Sequence, residues 1–334
     1  MTHALTRRAA ALALALGLAG TALPAAAQTA PAAWPKRPVK FIIPFGAGAG
    51  ADIGARLISE KLAQKWGQAV IIENKPGGDG LLAINSFLNA NDDHVLMFAA
   101  VGSFTVHPYQ IENLNYVMER DLLPIAQFSS TIIGVGMPAA SGVKSMKDFI
   151  AKAKANPGKL NAALVPGITE LVWDGFAKTE GIDVVKVPYK NIVPAAGDLA
   201  ESRLDIMAAS YAILRPVAEG GKVSVIAQTG PKRASILPDI PTTAESGAPS
   251  MELEGLVGLL GPKIMSQELR NKIGADVVAV ASEPEIAKLL TATGQVPAPA
   301  GAVEFEASLK KQIAQVAAIA KLIGMPRLSG AAGQ

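Results

Sequence analysis

The stretch from Val39 to Ile72 leaves few folds open, because it runs strand, glycine-rich loop, amphipathic helix, strand. Val39-Lys40-Phe41-Ile42-Ile43 is β-branched and aromatic, the signature of a buried strand, and it stops at Pro44. Past the loop at 46–51, Asp52 stands where a helix cap belongs. Ile53, Leu57, Ile58, Leu62 and Trp66 then share one helical face, and Gly67 follows the end. Ala69-Val70-Ile71-Ile72 reads as a second strand. A strand that re-enters a sheet through a helix runs parallel to its predecessor, so the chain is α/β.

The rhythm continues. A second glycine-rich turn at 74–80 leads into an apolar helix ending near 90 and a strand at 95–100. An extended segment at 124–137 precedes a helix at 145–155, a strand near 160–165, a helix at 169–180 and a strand at 183–187. A strand at 223–228 leads back through Leu237-Pro238-Asp239-Ile240-Pro241-Thr242-Thr243, a proline-stiffened connection, to a strand at 253–260. Helical spacing fills 266–281, 284–293 and 303–322. The expected organisation is two α/β lobes, each a mostly parallel sheet flanked by helices. Lobe 1 takes 35–130 and 243–334, with C-terminal helices free to pack across both lobes, and lobe 2 takes 131–242. Two crossing segments form a hinge, and the cleft between the lobes is the place for a small ligand.

Arg7-Arg8, an apolar run at 9–23, Pro24 and Ala25-Ala26-Ala27 make residues 1–27 a secretory signal peptide cut before Gln28. The arginine pair admits Sec or twin-arginine export. No later stretch supplies the roughly 20 uninterrupted apolar residues of a membrane span. The absence of cysteine excludes disulfides, thiolate metal sites, a cysteine nucleophile and a lipidated-cysteine anchor. Loss of Arg7 and Arg8 with the leader lowers the formal charge from +3 to +1, which gives nucleic acid no electrostatic hold. The expectation is an exported, unanchored periplasmic protein.

Pro44-Phe45-Gly46-Ala47-Gly48-Ala49-Gly50-Ala51-Asp52 lies between a strand and a helix. Such a loop aims backbone N–H groups at an anion, with the positive end of the helix dipole behind them. The loop at 76–80 is built alike and ends the neighbouring strand, so both face one crevice and suit a carboxylate without Arg or Lys. Gly46-x-Gly48-x-x-Ala51 also satisfies the dinucleotide fingerprint, with Glu73 placed for a ribose, which keeps a nicotinamide-dependent dehydrogenase as the alternative. Export, Pro44-Phe45 at the strand–loop junction and the second glycine loop all weigh against it. No G-x-S-x-G, H-E-x-x-H or Walker motif is present. His94 and His107 are isolated and read as surface or packing residues, and Asp92-Asp93 shapes a turn. The sequence therefore asks for no catalytic residue, metal or cofactor.

Six segments, in order, resemble the Bug-type extracytoplasmic solute receptors, the substrate-binding subunits of tripartite tricarboxylate transporters. They are Trp34-Pro35-Lys36-Arg37-Pro38-Val39 leading to Pro44-Phe45 and Asp52; Glu73-Asn74-Lys75-Pro76-Gly77-Gly78; and Lys154-Ala155-Asn156-Pro157-Gly158-Lys159-Leu160. Then come Val187-Pro188-Tyr189-Lys190; Pro194-Ala195 with Asp198-Leu199; and Lys232-Arg233 before Leu237-Pro238-Asp239-Ile240-Pro241-Thr242. The resemblance implies a Venus-flytrap binding protein, not an enzyme, that closes on a small carboxylate and delivers it to a permease of one large and one small subunit; a monomer is expected. A sensor for a membrane kinase is the alternative use. The implied ligand-binding residues are Phe45, Gly46, Gly48, Ala49, Gly50, Gly78, Asp79, Gly80, Val101 and Ser103 on the first lobe, and Pro166, Gly167, Ile168, Thr169 and Ser210 on the second. Tyr189 is open between packing and the cleft, and Asp198 reads as a scaffold acid.

Three departures bear on the ligand. Ala47 and Ala49 replace a usual Pro and Gly, and Asp79 replaces a usual Gly. The common Ser-Ser-Gly-x-Gly-Ser-x-x-His stretch is here Ala162-Ala163-Leu164-Val165-Pro166-Gly167-Ile168-Thr169-Glu170. Fewer hydroxyls and more alkyl surface favour an aromatic or alkyl monocarboxylate over a citrate-like ligand.

Overall fold

The computed structural model describes residues 34–47, 50–189 and 192–328, so the expected leader lies outside the described residues. A compact body begins at Arg37. Its first part contains β1 (Val39–Ile43), α1 (Gly50–Trp66), β2 (Val70–Asn74), α2 (Leu81–Ala90), β3 (Val95–Ala100), α3 (Gly102–Gln110), α4 (Met118–Asp121) and β4 (Leu122–Thr131). The middle contains β5 (Ile133–Pro138), α5 (Met146–Ala155), β6 (Asn161–Leu164), α6 (Ile168–Glu180), β7 (Val185–Lys186), α7 (Ala195–Ala200), β8 (Ile206–Ser210), α8 (Tyr211–Glu219) and β9 (Val223–Gln228). The last part contains β10 (Gly255–Pro262), α9 (Gln267–Ala281), α10 (Pro284–Ala292), β11 (Gln295–Ala300) and α11 (Ala302–Ile323).

The strands form two mixed sheets, ordered β11-β4-β10-β3-β1-β2 and β7-β6-β8-β5-β9. In the first, β1 to β4 point one way and β10 and β11 the other; in the second, only β5 opposes the rest. β1 pairs in parallel with both β2 and β3, and its Phe41, Ile42 and Ile43 are buried, which is why that run carries no polar alternation. Phe41 stacks on Phe98, whose edge meets Phe128 on β4.

Two segments cross between the sheets. β4 passes through Ile132 straight into β5, with the Ile132 carbonyl accepting from Tyr211 N. The return, 229–254, is clasped at its root: Leu253 N donates to Thr229 O, and Thr229 Oγ1 donates to Leu253 O. The proline-stiffened connection folds onto Gln228, whose Nε2 donates to the carbonyls of Leu237 and Ile240 while its Oε1 accepts from Ala234 N.

α11 joins both cores. Phe305 and Leu309 pack with Leu256 and Leu260 under the first sheet, whereas Val316 and Ile319 pack with Trp173 and Phe176 beside the second. Between these halves, Gln312 Nε2 donates to Glu254 O at 2.9 Å and Gln315 Nε2 to Glu252 O at 2.5 Å, which ties the helix to the return segment.

Several elements differ from expectation. α1 begins at Gly50, so Asp52 occupies its first turn and not the position before the helix. The strand expected at 183–187 shortens to two residues. α3, α4, α7, β8, α8 and β11 are additional. β11 contains Pro297 and Pro299, which an edge strand accommodates because one side of its ladder needs no N–H. Among the described residues, no helix is long and apolar enough to cross a membrane.

Candidate functional site

β1 and β3 in the first sheet, and β6 and β8 in the second, each hand over to a helix: α1, α3, α6 and α8. Parallel strands place such junctions at one end of each sheet. The two ends meet. A Cβ on Gly102 would lie 3.2 Å from Ile168 Cγ2, and one on Gly167 would lie 3.7 Å from Ser103 Oγ, so the first turns of α3 and α6 touch. Gly167 has φ 90°, a backbone that L side chains avoid. A helix start carries the positive end of the helix dipole, so the two starts that touch here suit an anion.

The first glycine loop is tied to the second through a buried carboxylate. Asp52 is 1% exposed. Its Oδ1 accepts from Asn74 Nδ2 at 2.8 Å and from Arg56 Nη2 at 3.0 Å, and its Oδ2 accepts from Arg56 Nε at 3.0 Å. Asn74 Nδ2 also donates to Phe45 O, and Asn74 Oδ1 accepts from Arg56 Nη2. Asn74 ends β2 and Phe45 follows β1, so this amide fixes the spacing of both loops. The hydrogen bond to Asp52 holds the Arg56 guanidinium above its ordinary pKa, outweighing the small cost of desolvation.

The second loop turns through four successive positive φ angles: Gly77 at 122°, Gly78 at 58°, Asp79 at 52° and Gly80 at 91°. Gly80 is buried, and a Cβ there would come within 3.0 Å of Phe104 Cε1. His107, fully buried on α3, secures the loop: its Nε2 lies 3.1 Å from Asp79 O, and its Nδ1 lies 2.7 Å from Tyr116 Oη. A carbonyl only accepts, so the ring proton sits on Nε2, and Tyr116 donates into Nδ1. Burial, and then the charges of Asp79 and Glu119, raise the Tyr116 phenol pKa, keeping that donor protonated.

The residues singled out in the sequence distribute as follows. Phe45 is half-buried, Gly46 is exposed and Gly50 opens α1, while Gly48 and Ala49 lie outside the described residues. Gly78, Asp79 and Gly80 form the short turn before α2. Val101 is buried among the first-sheet core, and Ser103 is half-buried at the start of α3. Pro166 is exposed, Gly167 and Thr169 are buried, Ile168 is half-buried, and half-buried Ser210 precedes α8. Asp52, Asn74, His107 and Tyr116 stand behind these positions. Of them, Asn74 falls within a motif read from the sequence, Asp52 was read as a cap, and His107 as a surface or packing residue.

Tyr189 Oη donates to Asp198 Oδ2 at 2.6 Å, and Arg203 Nε donates to Asp198 Oδ1, which makes this trio a brace on the second sheet. Asp92, Asp93 and His94 offer ligand atoms within 4.8 Å of one another. The contacts there are those of a turn: Arg37 grips both Asp92 oxygens, Asp92 Oδ1 accepts from His94 N, and His94 Nδ1 meets Asp93.

Residues 54–325 match the family described as tripartite tricarboxylate transporter family receptor. The UPF0065 protein in the gbd 5' region of Cupriavidus necator is 32% identical over 262 residues, covering 78% of each chain. The structure of R. palustris Rpa4515 with adipate superimposes with a TM-score of 0.73 at 25% identity, covering 87% of this chain and 99% of that one. The periplasmic binding protein BugD gives a TM-score of 0.69 at 25% identity, again covering 87% and 99%.

Proposed function

The chain belongs to the tripartite tricarboxylate transporter receptor family, and from that premise we propose that it captures a small carboxylate between its two sheets and presents it to a membrane permease. The family is one of periplasmic solute-binding proteins. The observation that carries the reading is the meeting of Gly102-Ser103 with Gly167-Ile168, two helix starts from different sheets closing one floor. On this reading Phe45, Gly46, Gly50, Gly78, Asp79, Gly80 and Ser103 serve it from one lobe, with Val101 packed beneath them, and Pro166, Gly167, Ile168, Thr169 and Ser210 serve it from the other. Backbone amides there hold the carboxylate, and water bridges what they do not reach. The alkyl side chains of Pro166 and Ile168, where the family pattern carries more hydroxyls, support an aromatic or alkyl monocarboxylate. That an R. palustris relative of similar fold was solved with adipate supports the broader class. The signal peptide at 1–27 exports the protein, and ligand shifts it towards the closed form that the permease recognises.

Thermal unfolding against mono-, di- and tricarboxylates, aromatic acids and NAD(H) tests this. A true ligand at a hundredfold excess over its Kd adds about 2.7 kcal/mol of stability, enough to move the midpoint by several degrees. Stabilisation by carboxylates and none by NAD(H) is expected. Stabilisation by NAD(H) alone replaces the receptor with a dehydrogenase.

A further inference from the structure

The second glycine loop presents a carboxylate of its own beside the expected anion site. Asp79 stands between Gly78 and Gly80 with its side chain 49% exposed. Its Oδ2 lies 3.4 Å from His107 Nε2. His107 follows Ser103 by four residues on α3, so the two share one face of that helix, one turn apart. Asp79 therefore flanks the same face whose first turn meets Gly167.

Its exposed carboxylate has no permanent cation beside it among the described residues. Among the described residues, no Lys or Arg pairs with Asp79, and its one charged-group contact is His107. That ring already directs its Nε2–H to the Asp79 carbonyl, which is the nearer acceptor at 3.1 Å, and its Nδ1 is taken by Tyr116 Oη. Nor does the backbone require the side chain. At φ 52° glycine sits without strain, whereas an aspartate must adopt the left-handed region. The carboxylate is thus available for something outside the fold.

We infer that Asp79 selects carboxylates that carry a hydrogen-bond donor, a hydroxyl or an ammonium, on the carbon chain, and disfavours those with a second carboxylate. This rests on the reading of the cleft as a carboxylate site. A ligand carboxylate held by the loop amides meets like-charge repulsion from Asp79 unless a donor lies between them. A ligand that supplies the donor gains a charge-assisted hydrogen bond.

Titration calorimetry with hexanoate, 2-hydroxyhexanoate, 6-hydroxyhexanoate, 6-aminohexanoate and adipate separates hydroxyl from ammonium and near from distal placement. At least one donor-bearing acid is expected to bind the wild type about tenfold or more tighter than hexanoate and adipate, the usual size of a hydrogen bond to a charged group. Asp79→Gly, which the backbone favours, removes that advantage, and Asp79→Asn keeps part of it for a hydroxyl and loses it for the ammonium. An unchanged ranking in Asp79→Gly, a wild-type preference for adipate or hexanoate, or binding of other carboxylates but none of these five overturns the inference. Absence of binding by every carboxylate in both this series and the thermal panel overturns the receptor reading itself.

Discussion

Asp52→Ala is expected to weaken carboxylate binding by about tenfold to a hundredfold and to lower the unfolding free energy by about 2 kcal/mol, less than a fully buried ion pair costs to break. The discount follows from exposure. The Asp52 side chain is 2% exposed but the Arg56 side chain is 52% exposed, so the guanidinium regains water when its partner goes. Asn74 is different. Its Nδ2 reaches Asp52 Oδ1 and Phe45 O together, and loss of the carboxylate frees the amide that spaces the two glycine loops. Binding should therefore suffer more than stability, and Asn74→Ala should reproduce most of the binding loss. Because the residues share one network, the double variant should lose less than the sum of the two. Calorimetric titration with a bound carboxylate, beside urea unfolding, reads both quantities. Unchanged affinity in Asp52→Ala separates the loops from the ligand.

Gly258→Val is expected to cost about 3 kcal/mol or more, at the upper end of what overpacking does. Even its Cβ would stand 2.5 Å from Phe305 Cζ and 2.6 Å from Ala126 O. The carbonyl belongs to β4, paired with β10, and the ring belongs to α11 at full burial, so neither yields without disturbing the core. The damage should travel, since α11 continues to the second sheet, where Ile319 lies against Gly175 with 2.8 Å to a would-be Cβ. Gly197→Ala on α7 is the control. Nothing lies within 4 Å of its would-be Cβ, and alanine favours a helix over glycine by about 0.5–1 kcal/mol. Urea denaturation that finds the two variants equally stable contradicts the role assigned to the α11 contact.

The sequence was most legible where a segment serves one core. β1, β3 and β6 are short apolar runs because both of their faces are covered, and α9, α10 and α11 keep a three-to-four spacing. α3 was not legible, and the structure gives the reason: Phe104 belongs to the first core and Val106 to the second, so no single stripe forms, and Pro108 lies inside the helix. β11 was hidden by its prolines. The glycine loops stood out because their backbone demands glycine, whereas the groups that support them did not. Asp52 has the residue type and place of a cap, and its pairing with Asn74 depends on two strands being neighbours. An isolated histidine gives no sign that Tyr116 and the Asp79 carbonyl hold both of its nitrogens.

The central claim is that the two lobes close on a carboxylate, and a distance between them tests it most directly. The sequence has no cysteine, so Leu82→Cys beside the second loop and Gly197→Cys on α7 give two unique labelling positions, one on each lobe. Both sites are exposed. Energy transfer between dyes at these positions should rise on saturation with a carboxylate that stabilises the protein, and should return when the ligand is removed. The same transfer efficiency with and without a ligand shown to bind contradicts closure and leaves a rigid carboxylate-binding protein in its place.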